Sequence, residues 1–388
     1  MKYDFDKLIN RKNTNSLKYD FAIERKRPED AIPLWVADMD FATLDEVKNA
    51  LIEKANYGVF GYSEPKERYF NALNNWFKVN HNWDIDTSKV VLACGVVLAI
   101  AATIRALTKE NDAVLICQPV YYPFEETIKV NNRKLVVSEL KNINNHYEVD
   151  FNDFEKKIVE NDVKLFVLCN PHNPVGRVWT REELERIGDI CLKHNVFVIS
   201  DEIHADFTYE GHKHIVFATV KKEFENNCIV CTAPTKTFNL AGLHISNIYI
   251  PNDDVRRKYK LEMAKIGYSQ SNVMGIIACQ AAYESGALWL KELKQYLKSN
   301  LDFVRDYINN NLKDISLIEP EGTYLLWLDC RKLNLSDREL HDLINNKAKV
   351  WVDDGYVFGE GGSGFIRINI ACSKQTLYKA LENIRKVL

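Results

Sequence analysis

The sequence contains no long apolar run, no excess of charge of one sign and no internal repeat. Because no stretch of about 18 apolar residues occurs, we expect no membrane-spanning helix. The 51 basic and 54 acidic residues leave a net charge of −3, so we expect no broad basic surface for nucleic acid or an anionic membrane. The first residues, MKYDFDKLIN, lack the apolar segment of a secretory signal, which predicts a cytoplasmic protein.

Nine cysteines are scattered along the chain without the paired spacing of a disulfide framework. Most lie in apolar runs, as Cys117 and Cys169 do, and this predicts buried thiols in a reducing compartment. Cys228 and Cys231 form a Cys-x-x-Cys motif, but the second pair of ligands that a zinc site needs is missing. We therefore interpret both as core residues of a strand.

From about residue 43, short runs rich in valine and isoleucine alternate with helical patterns. This alternation is typical of an α/β fold whose mostly parallel sheet is buried on both faces. The predicted strands are 90–94, 113–117, 164–169, 196–200, 228–232 and 245–250. Capping-box spacing predicts three helix starts, at Thr43 with Glu46, at Thr180 with Glu183 and at Ser336 with Glu339.

The chain divides into three predicted parts. Residues 1–42 are expected to form an extended N-terminal arm, and residues 43–285 a large domain that contains the parallel sheet. After about residue 285 the pattern changes to a long charged helix, from Ala287 to about Asn310, and then to short strands and helices. We therefore predict a smaller C-terminal α+β domain over residues 286–388.

Lys236 follows the predicted strand CIVCT in a turn that carries hydroxyl groups but no other charge. Most lysines are simply solvated at the surface. In an apolar turn, however, loss of hydration lowers the pKa of an ammonium group, and the neutral amine can form a Schiff base. Because ligands of open α/β sheets bind at the carboxyl ends of the strands, Lys236 is a candidate catalytic residue.

Three further features follow predicted strands. Asp201 ends the strand VFVIS; it could be a helix cap, or its carboxylate could hold a pyridinium nitrogen protonated. Asn173 lies in NPHNPVG, a segment typical of a tight turn. Alternatively, the side-chain amide of Asn173 could donate a hydrogen bond to a phenolate oxygen. Gly95, Val96 and Val97 precede a helix, where backbone N–H groups bind phosphate well.

In this order, the four features resemble fold-type I pyridoxal-phosphate enzymes, which have the aspartate-aminotransferase fold. The resemblance extends over nearly the whole chain and is closer still to the MalY/PatB type of cystathionine β-lyases. The segments that carry it are WVADMDF at 35–41, YGVFGY at 57–62, GVVLAI at 95–100, PVYYPF at 119–124, SDEIHADF at 200–207, GHKHIVF at 211–217, APTKTFNLAGL at 233–243, PEGTYLLWLD at 320–329 and GFIRINIAC at 364–372.

The resemblance implies a role for each candidate residue around pyridoxal 5′-phosphate. Lys236 would form the Schiff base and later move protons, and Asp201 would pair with the pyridine nitrogen. Asn173 would bond the phenolic oxygen, and the catalytic residue Tyr121 would stack on the ring. It also implies a cis Asn173–Pro174 peptide bond. The implied phosphate ligands are Val96, Val97, Thr235 and, from the partner subunit of a homodimer, Tyr62; the implied substrate-binding residues are Arg367, Trp35 and Tyr62.

Two positions depart from the aminotransferase pattern. His204 stands where many aminotransferases of this fold have a tyrosine, three residues after the ring aspartate. His244 stands where they have an arginine, eight residues after the lysine. Both substitutions fit the lyase branch better and leave the phosphate more dependent on backbone N–H groups, hydroxyls and Tyr62. His204, His212 and His214 could suggest a metal, but no further ligands lie at suitable spacing, so we expect none.

The resemblance implies a carbon–sulfur β-lyase that cleaves cystathionine or related S-substituted cysteines to a thiol (homocysteine), pyruvate and ammonia. The ring withdraws electrons from the α-carbon, and a β-lyase then releases a leaving group from the β-carbon. An aminotransferase acting on aromatic or other neutral amino acids remains the first alternative. A regulatory protein that keeps the fold and binds a transcription factor is the second.

Overall fold

The computed structural model describes residues 2–388, and within them the strands form three sheets. The strands are β1 (Ile32–Pro33), β2 (Val90–Ala93), β3 (Ala113–Gln118), β4 (Lys134–Ile143), β5 (His146–Val149), β6 (Val163–Cys169), β7 (Phe197–Asp201), β8 (Cys228–Thr232), β9 (Ser246–Tyr249), β10 (Ser316–Ile318), β11 (Leu325–Asp329), β12 (Val350–Trp351), β13 (Asp353–Asp354) and β14 (Phe365–Asn369). The α-helices are α1 (Asp45–Tyr57), α2 (Glu67–His81), α3 (Val96–Leu107), α4 (Pro123–Val130), α5 (Phe151–Asn161), α6 (Arg181–Lys193), α7 (Lys222–Glu225), α8 (Pro234–Thr237), α9 (Asp253–Lys265), α10 (Val273–Ser285), α11 (Ala287–Asn311), α12 (Asp337–His341) and α13 (Lys374–Val387).

The largest sheet has eight strands in the order β2-β9-β8-β7-β6-β3-β4-β5. The neighbours from β8 to β4 are parallel, whereas β9 and β5 run against their neighbours. Strand β2 is antiparallel to β9 and so runs in the same direction as β8. The carboxyl ends of β2, β3, β6, β7 and β8 therefore meet along one edge, which we call the site edge.

The large sheet is buried on both faces, as predicted. Along β3, Val114 and Ile116 pack into one apolar cluster, with α3 and α9, whereas Leu115 packs into the other. This alternation follows from the period of two in a strand. It explains why the strand sequences are continuous apolar runs: each residue faces a layer of helices or loops instead of water. All six predicted strand segments lie in this sheet, within one or two residues of the observed bounds.

Two of the three predicted capping boxes are confirmed. Thr180 caps α6 with Glu183, and Ser336 caps α12 with Glu339. The box predicted at Thr43 is wrong, because α1 begins at Asp45 and Leu44 occupies the N-cap position without a side-chain bond. The side chain of Leu44 is fully buried, so packing of this residue sets the start of α1.

The C-terminal part contains a second sheet, of order β10-β11-β14-β13, in which all neighbours are antiparallel. The charged helix predicted from residue 287 is confirmed as α11. The N-terminal arm contributes β1, which pairs with β12, and Phe5, which packs against Trp289 of α11. The arm is thereby joined to the C-terminal part, and its residues 35–41 continue towards the site edge.

Helices α10 and α11 meet at an angle of 80° at Gly286. No single helix of residues 2–388 is long and apolar enough to cross a membrane; α10 and α11 meet those criteria only as a pair, across this bend. A Cβ atom at Gly286 would lie 2.1 Å from Cε1 of Phe238 and 2.5 Å from the carbonyl oxygen of Ala282. The bend therefore requires glycine for close approach to the Phe238 ring.

We expect Gly286→Ala to lower the free energy of unfolding by about 1–3 kcal/mol, because Phe238 is fully buried and cannot move away without strain. The measurement is the urea midpoint at fixed cofactor concentration. Gly242→Ala is the matched control, since its added Cβ meets nothing within 4 Å. An equal shift in both variants would contradict the role given to Gly286.

Candidate active site

A cavity of about 360 Å³ lies at the site edge, between the large sheet, residues 35–37 of the arm and the C-terminal sheet. Nine of the ten predicted site residues line it, although they are scattered from residue 35 to residue 367. They are Trp35, Val96, Val97, Tyr121, Asn173, Asp201, Thr235, Lys236 and Arg367. We call this cavity the inner pocket.

Lys236 lies on the short helix α8, directly after β8. Its ammonium group donates a hydrogen bond of 2.7 Å to the carbonyl oxygen of Ala37. Removal from water lowers the pKa of Lys236 to about 8, an effect that nearby Asp38 partly opposes. An amine of this kind is partly neutral near physiological pH and can act as a nucleophile or base.

Asp201 ends β7, and its carboxylate is buried. In the sheet, β9 and β8 separate β7 from β2, the strand that leads into the turn before α3. One Oδ accepts a hydrogen bond of 3.1 Å from the backbone N–H of Ile203. Burial raises the pKa of Asp201 to about 7, and the charge of Lys236 lowers it again in part. A cation brought next to this carboxylate would keep it ionised, as a protonated pyridine nitrogen does.

Arg367 lies in the middle of β14, only 3% exposed, and its guanidinium contacts three groups. It donates hydrogen bonds of 3.0 Å to Oδ1 of Asn173 and 2.9 Å to the carbonyl oxygen of Trp35. It also forms an ion pair with Asp353, which faces it across the β13–β14 register. Burial raises the pKa of Asp353, and the charge of Arg367 counteracts this effect. A substrate carboxylate at Arg367 would therefore compete with Asp353.

The backbones of Tyr121 and Asn173 are joined by a hydrogen bond. The N–H of Tyr121 donates a hydrogen bond of 3.0 Å to the carbonyl oxygen of Asn173. The Asn173–Pro174 peptide bond is cis, which confirms the prediction. Burial raises the pKa of the Tyr121 hydroxyl well above its ordinary value, so the side chain stays neutral. Its flat ring is available to stack on an aromatic ligand in the inner pocket.

The amino end of α3 opens into the inner pocket. Gly95 occupies the N-cap without a side-chain bond, so in the described chain no side chain caps the first N–H groups, those of Val96 and Val97. Such groups, with the helix dipole, bind a phosphate. Thr235 and Ser246 add hydroxyl groups to the wall of the pocket. The donors at this end therefore suit an anion.

The chemical groups of these residues are those that pyridoxal phosphate requires. Lys236 offers an amine, Asp201 a buried carboxylate, Tyr121 an aromatic face and α3 an anion-binding end. The buried His204 also lines the pocket, and its Nδ1 has no hydrogen-bond partner within residues 2–388. Burial, with smaller contributions from Lys236 and Arg367, lowers the pKa of His204 well below its ordinary value. Its neutral ring could exchange a hydrogen bond with a polar ligand.

Tyr62 is the one predicted site residue that does not line the inner pocket. Its side chain is 93% exposed, in the loop between α1 and α2. The residues that sequence reasoning missed include Asp353 and the carbonyl group of Ala37. A backbone carbonyl has no sequence signature, and the acidic pair Asp353-Asp354 gives no sign of which member faces Arg367.

The other sequence predictions concerned cysteines and metals. All nine cysteines lie in the described part of the chain as free thiols, and Cys228 and Cys231 are fully buried in β8. The structure therefore supports their interpretation as core residues. Within residues 2–388, no three histidine, cysteine, aspartate or glutamate side chains are arranged to hold a metal ion.

The family of class I and II aminotransferases matches residues 29–384, and the chain belongs to that family. Cystathionine β-lyase PatB of Bacillus subtilis is 38% identical over 99% of this chain and 100% of its own length. The structure of cystalysin from Treponema denticola, which contains pyridoxal 5′-phosphate, superimposes with a TM-score of 0.96 at 37% identity over 100% and 99% of the two chains. A pyridoxal-phosphate-bound protein of Clostridium difficile 630, provisionally named an aminotransferase, gives 0.97 at 44% identity over 99% of each.

The pKa of Lys236 leads to a test of the site. Only the neutral amine attacks an aldehyde. We therefore expect the rate at which pyridoxal phosphate attaches to the cofactor-free protein to rise with pH up to about pH 8 and then to level off. At that pH an ordinary lysine, of pKa 10.5, is neutral in only about one molecule in 300. The measurement is the initial rate of formation of a borohydride-reducible adduct between pH 6 and pH 11.

Two controls accompany this measurement. Nα-acetyl-lysine reports the pH dependence of the cofactor itself with an ordinary amine, and Lys236→Ala reports attachment elsewhere. A protein profile that keeps rising to pH 10, as that of the free amine does, would mean that Lys236 is not desolvated as described.

Proposed function

We propose that the chain is a pyridoxal-phosphate-dependent β-lyase of S-substituted cysteines such as cystathionine. One observation carries the proposal: Lys236, Asp201 and Arg367 line a single pocket in a chain similar to C–S lyases over its full length. With water, cystathionine would yield homocysteine, pyruvate and ammonia. When bound, pyridoxal phosphate withdraws electrons from the α-carbon of the amino acid.

The residues of the chain would act in sequence on the substrate. Arg367 binds and orients the α-carboxylate by exchanging its contact with Asp353 for a two-pronged hydrogen bond. Lys236 leaves the carbonyl of Ala37 and takes the α-proton as a neutral amine. Asp201 holds a proton on the ring nitrogen by its negative charge. As the C–S bond breaks, the sulfur takes the bonding electrons and receives the proton held by Lys236, so it leaves as a thiol. The released aminoacrylate reacts with water to give pyruvate and ammonia.

We expect the purified protein to form pyruvate from L-cystathionine with no keto acid added, because β-elimination needs no amino-group acceptor. The measurement is a lactate-dehydrogenase-coupled assay at saturating cofactor, with a parallel assay of free thiol. An aminotransferase, the activity suggested by the name of the Clostridium difficile protein, would need a keto acid and release no thiol. Thiol and pyruvate in equal amounts support the proposal, and dependence on added keto acid contradicts it.

We also propose that the enzyme works as a homodimer with shared sites. The segment around Tyr62 exposes four large side chains, one at the end of α1 and three in the loop that follows it. Tyr57, Val59, Phe60 and Tyr62 are 69%, 58%, 58% and 93% exposed. Several exposed apolar side chains within one short segment are typical of an interface. In a two-fold dimer each Tyr62 would reach the other subunit's pocket, and the exchange would be reciprocal.

Tyr62→Phe should raise the dissociation constant of the cofactor roughly tenfold, since a hydrogen bond to a charged group contributes about 1.5–3 kcal/mol. Mixing this variant with Lys236→Ala tests the exchange, because each heterodimer then has one site with both residues intact. At limiting cofactor, the mixture should be more active than the sum of its components. Activity equal to that sum, or a fully active monomer by sedimentation, would contradict the shared site.

A further inference from the structure

The inner pocket continues outward into a second cavity of about 570 Å³, the outer cleft. Three residues line both cavities: Trp35, Tyr122 and Asp353. A molecule with one end at Lys236 and Arg367 would therefore extend past these three residues, and its far end would lie in the outer cleft. The walls of the outer cleft come from residues 24–27 of the arm, the start of α4 and residues 351–357.

Four exposed charges of the outer cleft form no ion pair within residues 2–388: Glu24, Arg25 and Lys26 of the arm and Glu126 of α4. Arg25 comes from the arm, and its guanidinium lies 5.0 Å from the ring centre of Trp35. Glu126 comes from α4. Both are exposed, and neither forms an ion pair with any residue of the described range 2–388. Burial raises the pKa of Tyr122; the charges of Asp353 and Glu126 raise it further, and those of Arg367 and Arg25 lower it.

Glu125 and Arg27, which also line the outer cleft, each have a partner of opposite charge. Glu125 accepts a 2.6 Å bond from Lys129, and Arg27 lies 4.0 Å from Asp354. Of the four charges without an ion pair, Arg25 is the one that contacts Trp35, which lines both cavities, and Glu126 is the one on the α4 wall. This arrangement is complementary to a group that carries a carboxylate and an ammonium ion together, as a free α-amino acid does.

We propose that the outer cleft is a leaving-group subsite that selects thioethers of cysteine whose departing half is itself an α-amino acid. Arg25 binds the carboxylate of that half and Glu126 its ammonium group, while Trp35 and Tyr122 contact the methylene chain between. The assignment rests on the proposed lyase function for the position of the reacting half. The subsite explains how the enzyme would distinguish between substrates. A small S-alkyl cysteine occupies only the inner pocket and makes no contact in the outer cleft.

The test compares substrates on the holoenzyme and its variants Arg25→Gln and Glu126→Gln. L-cystathionine carries both distal charges, S-(2-aminoethyl)-L-cysteine carries only the ammonium ion, and S-methyl-L-cysteine carries neither. Because both side chains are exposed, each contact should change kcat/KM by about fivefold. Arg25→Gln should lower it for cystathionine alone. Glu126→Gln should lower it for cystathionine and the aminoethyl compound, and S-methylcysteine should stay within about twofold of wild type.

Matched controls remove the same charges outside the cleft, by Glu29→Gln on the arm and Arg338→Gln on α12, both exposed. A second readout does not depend on turnover: calorimetric binding of L-cystathionine to cofactor-loaded Lys236→Ala protein, which should weaken about fivefold with each added substitution. The controls should change neither quantity.

Each outcome decides the proposal. Equal losses for S-methylcysteine and cystathionine, or no loss for either, would overturn the subsite while leaving the lyase activity intact. If wild-type protein forms no pyruvate from any of these compounds, the proposed function fails. The calorimetric comparison then decides separately whether the outer cleft recognises a zwitterionic group.

Discussion

The backbone carbonyls of residues 35–41 hold both cationic side chains of the site, and the geometry of the inner pocket depends on them. The carbonyl of Ala37 accepts a hydrogen bond from Lys236, and that of Trp35 accepts one from Arg367. Without these acceptors, each of the two buried side chains would lose a hydrogen-bond partner, which costs free energy away from water. A segment far from both residues in sequence therefore determines where the amine and the carboxylate-binding group lie.

The arm segment is itself fixed from two sides. On the C-terminal side, the amide of Asn369 donates to the carbonyls of Val36 and Asp38. On the outer side, the fully buried Lys18 pairs with Asp40 at 3.0 Å. A buried ion pair of this kind adds little net stability, but removal of one partner leaves an unpaired buried charge. The pairing thus favours a single position of the arm.

Charge balance explains how the pocket can hold an anionic, electron-withdrawing ligand. Arg367 is neutralised by Asp353 until a carboxylate replaces it, and burial keeps Lys236 and Asp201 near neutral pKa values. Both groups can therefore change protonation state within the physiological range. Ordinary surface residues of the same types would remain fixed as ammonium and carboxylate.

The sequence predicted the parts of the site that follow from local pattern, and missed those that follow from long-range packing. Buried strands are apolar runs, and the residues that follow them reach a common edge, so Lys236 and Asp201 could be placed together. Asp353 could not, because its contact with Arg367 depends on the β13–β14 register. The carbonyl of Ala37 has no signature at all, and Thr43 failed as a cap because burial of Leu44 prevailed.

The central claim, that Lys236 is the reactive amine of a pyridoxal-phosphate site, can be tested by locating the modified residue. The protein would be loaded with cofactor, reduced with borohydride, digested and mapped by mass spectrometry. The account predicts one pyridoxyl-phosphate group per chain, on the peptide that contains Lys236. A group on any other lysine, or none at a cofactor concentration that saturates activity, would contradict it.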